Sequence, residues 1–230
     1  MRAMLLAAGF GTRLRPLTET IPKCLVPIKG RPLLHIWLER LTQAGFGPFL
    51  INTHYLAEQV EEFIEDSLYR DQVRLINERE LYGTAGTVIT NRAFFQEQDG
   101  LVIHADNYCL ADFDAFKRAH HNRPAECVMT MMTFRTDSPQ NCGIVELDTR
   151  GIVVAFHEKV VNAPGNLANC AVYILSSELI KELGLMFVNA TSFSEDVINK
   201  LVGKIYTYET KSFFLDIGTP ETYKKANEYN

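Results

Sequence analysis

Between Ala3 and Phe134, short apolar runs alternate with stretches of helical period, and few architectures accept that rhythm. Ala3–Ala8 (AMLLAA), Pro48–Asn52 (PFLIN), Val73–Ile76, Leu101–His104 (LVIH) and Glu126–Phe134 (ECVMTMMTF) have the length and content of buried strands. The methionines Met129, Met131 and Met132 in the last of these are expected to be core. Between the strands, Pro32–Ala44 opens on proline and stops before Gly45, with Leu34, Trp37, Leu38 and Leu41 at helical spacing. Leu56–Leu68 reads as an acidic amphipathic helix, Thr87–Phe95 as a helix after a glycine-containing loop, and Asp112–His121 as another. Such alternation predicts an α/β fold with a mainly parallel sheet and helices on both faces.

The texture changes after about residue 140. Gly143–Leu147 and Ile152–Phe156 flank the turn residues Asp148–Gly151 and predict a hairpin. Ala171–Leu175, Lys204–Tyr208 and Phe213–Leu215 are expected strands, and Ser177–Leu183 and Pro220–Tyr229 expected helices. A further helix is expected over Ser194–Leu201, with Ser194 as its N-cap. No repeat, charge block or low-complexity linker interrupts the chain. The expectation is one domain over 1–230, with a small mixed-sheet subregion in its later part.

A hydrophobic content of 47% and 230 residues suffice for a core without metal or disulfide staples. Five scattered cysteines, odd in number and without a C-x-x-C pair, suit reduced thiols. The net charge of -5 argues against a nucleic-acid coat or an anionic-membrane binder. No signal region or membrane-length apolar run is present, so the expected location is the cytoplasm.

Chemistry concentrates in Leu5–Ile28, LLAAGFGTRLRPLTETIPKCLVPI. A buried strand runs into Ala-Ala-Gly-Phe-Gly-Thr-Arg, at the strand end where open α/β sheets bind ligands. Gly9 and Gly11 admit close approach of backbone amides to a phosphate, and Arg13 adds a forked cation. Pro22-Lys23 brings a second cation, and two cations on one loop suit a leaving pyrophosphate. The loop is neither a dinucleotide fingerprint, since Leu14 stands where a third glycine is required, nor a Walker loop. On its own it supports a phosphate site or a plain glycine-rich turn.

LAAGFGTRLRPLT followed by PKCLVPI resembles the signature of the sugar-phosphate nucleotidyltransferase family. The similarity continues in ELYGTAGT (Glu80–Thr87), HADN (His104–Asn107), Glu158-Lys159 and DIGTPETY (Asp216–Tyr223). The resemblance implies a Rossmann-like sheet of the nucleotide-diphospho-sugar transferase type, with a nucleotide-binding part over 1–140 and a sugar-phosphate-binding part over 141–230. It implies that Arg13 and Lys23 hold the triphosphate and act in catalysis. Leu6, Ala7, Ala8, Gly9, Gly11, Thr12, Glu80, Gly83, Thr84 and Gly86 would complete the nucleotide site.

Transfer of a nucleotidyl group needs aligned reactants and a metal ion on the phosphates more than covalent help from protein. Asp106 and Asp216 each end an apolar strand, and the resemblance makes them ligands of magnesium. Alone, either could be a turn or cap aspartate. His104 and Asn107 are expected to support Asp106 rather than bind metal. Gly143, Glu158, Lys159 and Asn169 match the family's sugar-phosphate positions: glutamate for sugar hydroxyls, lysine for the phosphate. Val160 follows Glu158-Lys159 where relatives often have proline. His120-His121 are expected to be helix-end cations. Cys24, although beside Lys23, has no part in this chemistry.

The Gly-Thr-Ala-Gly string at Gly83–Gly86 looks most like guanylyltransferases acting on mannose or heptose 1-phosphate. Alternatives are a uridylyltransferase for an amino-sugar 1-phosphate, a phosphocholine cytidylyltransferase, and a catalytically silent nucleotide-sugar-binding regulator. Leu14 argues against an NAD-dependent dehydrogenase. The expected partners are a nucleoside triphosphate and a sugar 1-phosphate, without nucleic acid or membrane, in a monomer or homodimer. With the sequence ending at Asn230, no left-handed β-helix domain is expected.

Overall fold

The computed structural model describes residues 1–229. In chain order the strands and helices are β1 (Arg2–Leu6), β2 (Pro27–Ile28), β3 (Arg31–Pro32), α1 (Leu33–Gln43), β4 (Phe49–Thr53), α2 (Ala57–Glu65), β5 (Val73–Asn77), α3 (Gly83–Thr90), β6 (Gly100–His104), β7 (Asn107–Cys109) and α4 (Phe113–His121). They continue as β8 (Met129–Arg135), β9 (Gly143–Leu147), β10 (Val153–Glu158), β11 (Leu167–Leu175), α5 (Ser177–Met186), α6 (Asn199–Leu201), β12 (Ile205–Glu209), β13 (Phe214–Asp216) and α7 (Pro220–Glu228). The class is α/β, as the alternation implied. Two compact units share the chain: Met1–Leu81, Ile103–Leu110 and Phe213–Asn230 form the first, and Tyr82–Val102 with Ala111–Ser212 the second. Among the described residues no helix is long and apolar enough to cross a membrane.

In the first unit β1, β4 and β5 pair in parallel, with Leu6 opposite Asn52 and Asn52 opposite Ile76. β1 and β4 are almost wholly buried, which explains the apolar runs Ala3–Leu6 and Phe49–Ile51 within them. Helix α1 buries Leu33, Leu34, Ile36, Trp37, Leu38 and Leu41, the face its spacing foretold. The Trp37 indole N–H donates to the Asn107 carbonyl at 2.8 Å and so fixes β7, the strand after Asp106. β7 pairs antiparallel with β13, opposing Asn107 and Asp216. Helix α7 starts from a reciprocal cap between Thr219 and Thr222.

In the second unit the expected hairpin forms between β9 and β10, with Gly143 opposite Glu158. β8 pairs antiparallel with β11 and parallel with β12, a mixed sheet. Met129, Met131 and Met132 are fully buried, as expected. Three expectations are corrected here. The glycine-containing stretch before Thr87 is itself helical, so α3 runs from Gly83 and yields to a 3-10 turn over Arg92–Phe95. Glycines at a helix start escape a propensity reading that treats them as loop. Ser192, not Ser194, caps the turn over Phe193–Ile198, its hydroxyl accepting the Glu195 amide. The turn is a π-helix that begins at Phe193, earlier than expected, so the capping serine is the one that precedes it.

The third correction is His120, which is a core residue rather than a helix-end cation. It is 2% exposed, with Nδ1 2.8 Å from the Thr130 hydroxyl and Nε2 3.3 Å from Asp99 Oδ2. Asp99 also accepts the Ser177 amide at 2.8 Å and so anchors α5. Burial pushes the imidazole below its ordinary value, outweighing the contact with Asp99. The native state therefore favours neutral imidazole. That contribution is complete above the unfolded value, about 6.5, and is lost as pH falls towards the folded one. Melting temperature should accordingly fall between about pH 7 and 5 more steeply in the wild type than in His120→Asn. Parallel pH profiles would contradict the assignment.

Candidate functional site

In the first unit the glycine turn leaves the carboxyl end of β1. On one side the Leu6 carbonyl accepts the Ala105 amide at 3.0 Å, while on the other the Ala7 amide donates to Asn52 Oδ1 at 2.8 Å. Gly11 adopts φ +62°, and a β-carbon there would meet Thr18 Cγ2 at 3.0 Å and Lys23 Cβ at 3.2 Å. The turn therefore requires glycine at this position. Buried Thr18 donates its hydroxyl to the Gly11 carbonyl at 2.7 Å and holds that shape. Gly9 is exposed, and a β-carbon there would have no heavy atom within 4 Å. Thr12 and Arg13 lie on a 3-10 turn and are exposed.

The two cations and the two aspartates converge. Lys23 Nζ lies 2.7 Å from Asp106 Oδ2 and 3.3 Å from Asp216 Oδ1, and its side chain is only 8% exposed. Arg13 approaches Asp216 Oδ2 at 3.7 Å. Lys23 is carried by a 3-10 turn whose Cys24 and Leu25 are buried, so packing aims the ammonium. Asp106 follows Ala105 at the end of β6, and Asp216 ends β13, with the Ile217 amide donating to the Asp106 carbonyl at 3.2 Å. Gly218 leaves room for the pair: a β-carbon there would sit 2.9 Å from Asp216 Oδ2 and 3.1 Å from the Arg13 guanidinium.

Burial by itself raises the Asp106 carboxyl, but the charge of Lys23, then that of His104, holds it below the usual carboxylate range. Asp106 is thus an anion around neutrality. Burial pushes the Cys24 thiol up to about 12, so that cysteine is not a nucleophile. Among the described residues no three His, Cys, Asp or Glu side chains are grouped to hold a metal. The acidic pair nonetheless accommodates one positive charge between its members, in the form of the Lys23 ammonium. Glu80, also in this unit, is exposed.

The other candidate residues belong to the second unit. Gly83 has φ +74°, and a β-carbon would lie 2.3 Å from the Thr191 carbonyl oxygen, so α3 begins under a close backbone contact. The Ala85 amide donates to that carbonyl, and the Phe193 amide donates to the Thr84 hydroxyl at 2.8 Å. The Thr84 hydroxyl oxygen thus ties α3 to the turn at Phe193, and a β-carbon on Gly86 would meet Tyr82 Cβ at 3.0 Å.

Gly143, Glu158, Lys159 and Asn169 are brought together. A β-carbon on Gly143 would come within 2.6 Å of the Phe156 ring and 2.8 Å of Glu158 Oε2. Glu158, 21% exposed, pairs with Lys159 at 3.2 Å, and the lysine side chain is 65% exposed. Asn169 sits at an irregularity in β11, accepting the Ala171 amide and donating to the Tyr173 hydroxyl, both at 2.8 Å. Burial raises the Tyr173 phenol, which stays protonated, and its ring stacks on Phe193. Two residues that pattern reading passed over, Asn52 and Glu78, are buried beside the glycine turn. The available signal was a polar residue near the carboxyl end of each strand, Asn52 within β4 and Glu78 just beyond β5.

A family model described as nucleotidyl transferase matches residues 2–230. The chain belongs to the nucleotidyl transferase family. Among curated relatives, mannose-1-phosphate guanyltransferase beta-A of Xenopus laevis is 29% identical over 97% of this chain, and mannose-1-phosphate guanyltransferase 2 of Candida glabrata is 28% identical over 97%. The chain spans 62% and 63% of the lengths of these two proteins. The crystal structure of HddC from Yersinia pseudotuberculosis complexed with GMP-PN is 28% identical, with a TM-score of 0.81 over 99% of this chain and 98% of that one. Apo UDP-glucose pyrophosphorylase shares the fold at 22% identity, with a TM-score of 0.82 over 98% and 96% of the two chains. The family resemblance and the α/β fold expected of the sequence are thereby borne out.

Proposed function

We propose that the protein transfers a guanylyl group from GTP to a sugar 1-phosphate of the mannose or heptose type, releasing pyrophosphate and forming a GDP-sugar. The observation that carries this reading is the convergence of Arg13 and Lys23 with Asp106 and Asp216 beside the glycine turn. A nucleotide on that turn would set its phosphates against Ala8–Gly11, where Gly9 leaves open space and Arg13 and Lys23 supply charge. The guanyltransferase names of the relatives, and GMP-PN in the HddC complex, support guanosine as the nucleoside.

Asp106 and Asp216 suit magnesium by donor class, since that ion takes one or two carboxylates and completes its shell from phosphate and water. Bound there, magnesium would neutralise charge on the triphosphate. Lys23 then has two tasks: bridging the two carboxylates and offsetting their mutual repulsion before the nucleotide arrives, and meeting phosphate charge afterwards. Arg13 meets charge that builds on pyrophosphate as it leaves. In the second unit, Glu158 accepts hydroxyls of the sugar, Lys159 binds its phosphate, and Gly143 and Asn169 complete the sugar-phosphate site. The five free thiols suit a reducing compartment, and the proposed location is the cytoplasm.

Pyrophosphate release should be screened with GTP, UTP, CTP, ATP and dTTP against mannose, heptose and N-acetylated amino-sugar 1-phosphates and phosphocholine. GTP with a mannose or heptose 1-phosphate should turn over fastest. A preference for UTP or CTP by an order of magnitude would overturn the base assignment. No release from any pair would overturn the reaction.

A further inference from the structure

Asn52 and Glu78 stand at the carboxyl ends of adjacent parallel strands, beside the point where the chain leaves β1 for the glycine turn. Asn52 is 4% exposed and Glu78 2%. Asn52 Oδ1 accepts the Ala7 amide at 2.8 Å, and Asn52 Nδ2 donates to Glu78 Oε1 at 3.0 Å. Glu78 is itself fixed by its backbone: its amide donates to the Thr53 carbonyl at 2.9 Å, and its carbonyl lies 2.7 Å from His54 Nδ1. The reaction proposed above uses neither side chain.

The polarity of this relay runs one way. Asparagine presents an acceptor at one end and donors at the other, and a carboxylate only accepts. Glu78 therefore compels Asn52 to turn its Nδ2 towards strand β5, which leaves Oδ1 facing Ala7. The side chain takes the place of the next ladder acceptor after Leu6, so pairing with β4 stops there and the chain turns out towards Gly9. Reversing the amide would set donor against donor at a part-buried backbone N–H, which is costly.

We propose that Asn52 and Glu78 are positioning residues for the nucleotide: Glu78 orients Asn52, and Asn52 clamps the Ala7 amide so that the following turn keeps the shape that receives phosphates. Neither residue touches the reacting atoms in this account. The inference rests on the nucleotide site proposed for the turn, but the clamp itself has a readout that needs no nucleotide.

The test is a reciprocal exchange. Glu78→Gln allows the asparagine to reverse, because the new amide can donate to it. Asn52→Asp keeps an acceptor for Ala7 but sets two carboxylates together. The double variant Asn52→Asp/Glu78→Gln restores one acceptor facing Ala7, one donor facing that carboxylate, and the original net charge. Ala7 amide exchange, followed by NMR on the full chain, should be accelerated at least about tenfold in each single variant and recover in the double. The Kd for GTP with magnesium, measured by calorimetry, should weaken about tenfold or more in each single variant. It should return to within about threefold of wild type in the double, as expected when coupled partners are exchanged together. Singles that lower Tm yet bind GTP as wild type does would reduce the pair to core structure and overturn the proposal. Should a single variant not fold, the double still decides, because weak GTP binding by a folded double overturns it as well. If the wild type binds none of the five triphosphates, the nucleotide reading fails, while Ala7 exchange still reports whether the clamp exists.

Discussion

Asp106→Asn is expected to lower kcat by about three orders of magnitude, because it removes one of two carboxylates that would hold a divalent ion on the triphosphate. The same change withdraws the 2.7 Å partner of a lysine that is 8% exposed. Lys23 keeps Asp216 at 3.3 Å, and Asp106 is 40% exposed, so the loss of stability should be near about 1 kcal/mol rather than the several expected for a dry pair. The variant should therefore fold. The folded-state carboxyl lies below its unfolded value, so the pair's contribution is present above about pH 3.9 and disappears as pH falls through the folded one. Acid unfolding of the variant should lack that component. Steady-state kinetics beside a thermal melt separates the two effects, and a variant with wild-type kcat would remove Asp106 from the metal site.

Arg13→Ala should reduce kcat by about two to three orders of magnitude with almost no change in melting temperature. Arg13 and Asp216 are 3.7 Å apart and both more than half exposed, a pair worth at most about 1 kcal/mol to folding. A forked cation at the mouth of the glycine turn that adds so little to stability suits the phosphate-binding role proposed for it. Arg13→Lys should recover only part of the rate, since an ammonium cannot reproduce two parallel hydrogen bonds. A drop in Tm of many degrees with kcat intact would make Arg13 a structural residue.

The sequence made much of this legible, and the reasons are physical. β1 and β4 are buried on both faces, so their apolar runs survive without interruption. α1 shows its buried face because residues at three- and four-fold spacing must be apolar together. Gly11 was visible because only glycine accepts φ +62° with Thr18 and Lys23 so near. Less could be read where structure depends on groups distant in sequence. Gly83 looks like a loop residue until the Thr191 carbonyl is placed 2.3 Å from its missing β-carbon. His120 looks like an exposed helix end until Asp99 and Thr130 enclose it. Asn52 and Glu78 carry no motif, because their meaning lies in the order of hydrogen-bond donors across three strands. Asp106 and Asp216, 110 residues apart in the chain, were linked only through family pattern. The antiparallel pairing of β7 with β13 supplies the physical link.

The central claim is that the α-phosphate of a nucleoside triphosphate moves to a sugar phosphate. GTP labelled at the α-phosphate, and in a parallel reaction at the γ-phosphate, should be incubated with mannose 1-phosphate, magnesium and the wild-type chain. The α-label should appear in GDP-mannose and the γ-label in pyrophosphate, in equal amounts and only when both substrates are present. Release of the γ-label as inorganic phosphate, with the α-label left in GDP, would contradict it.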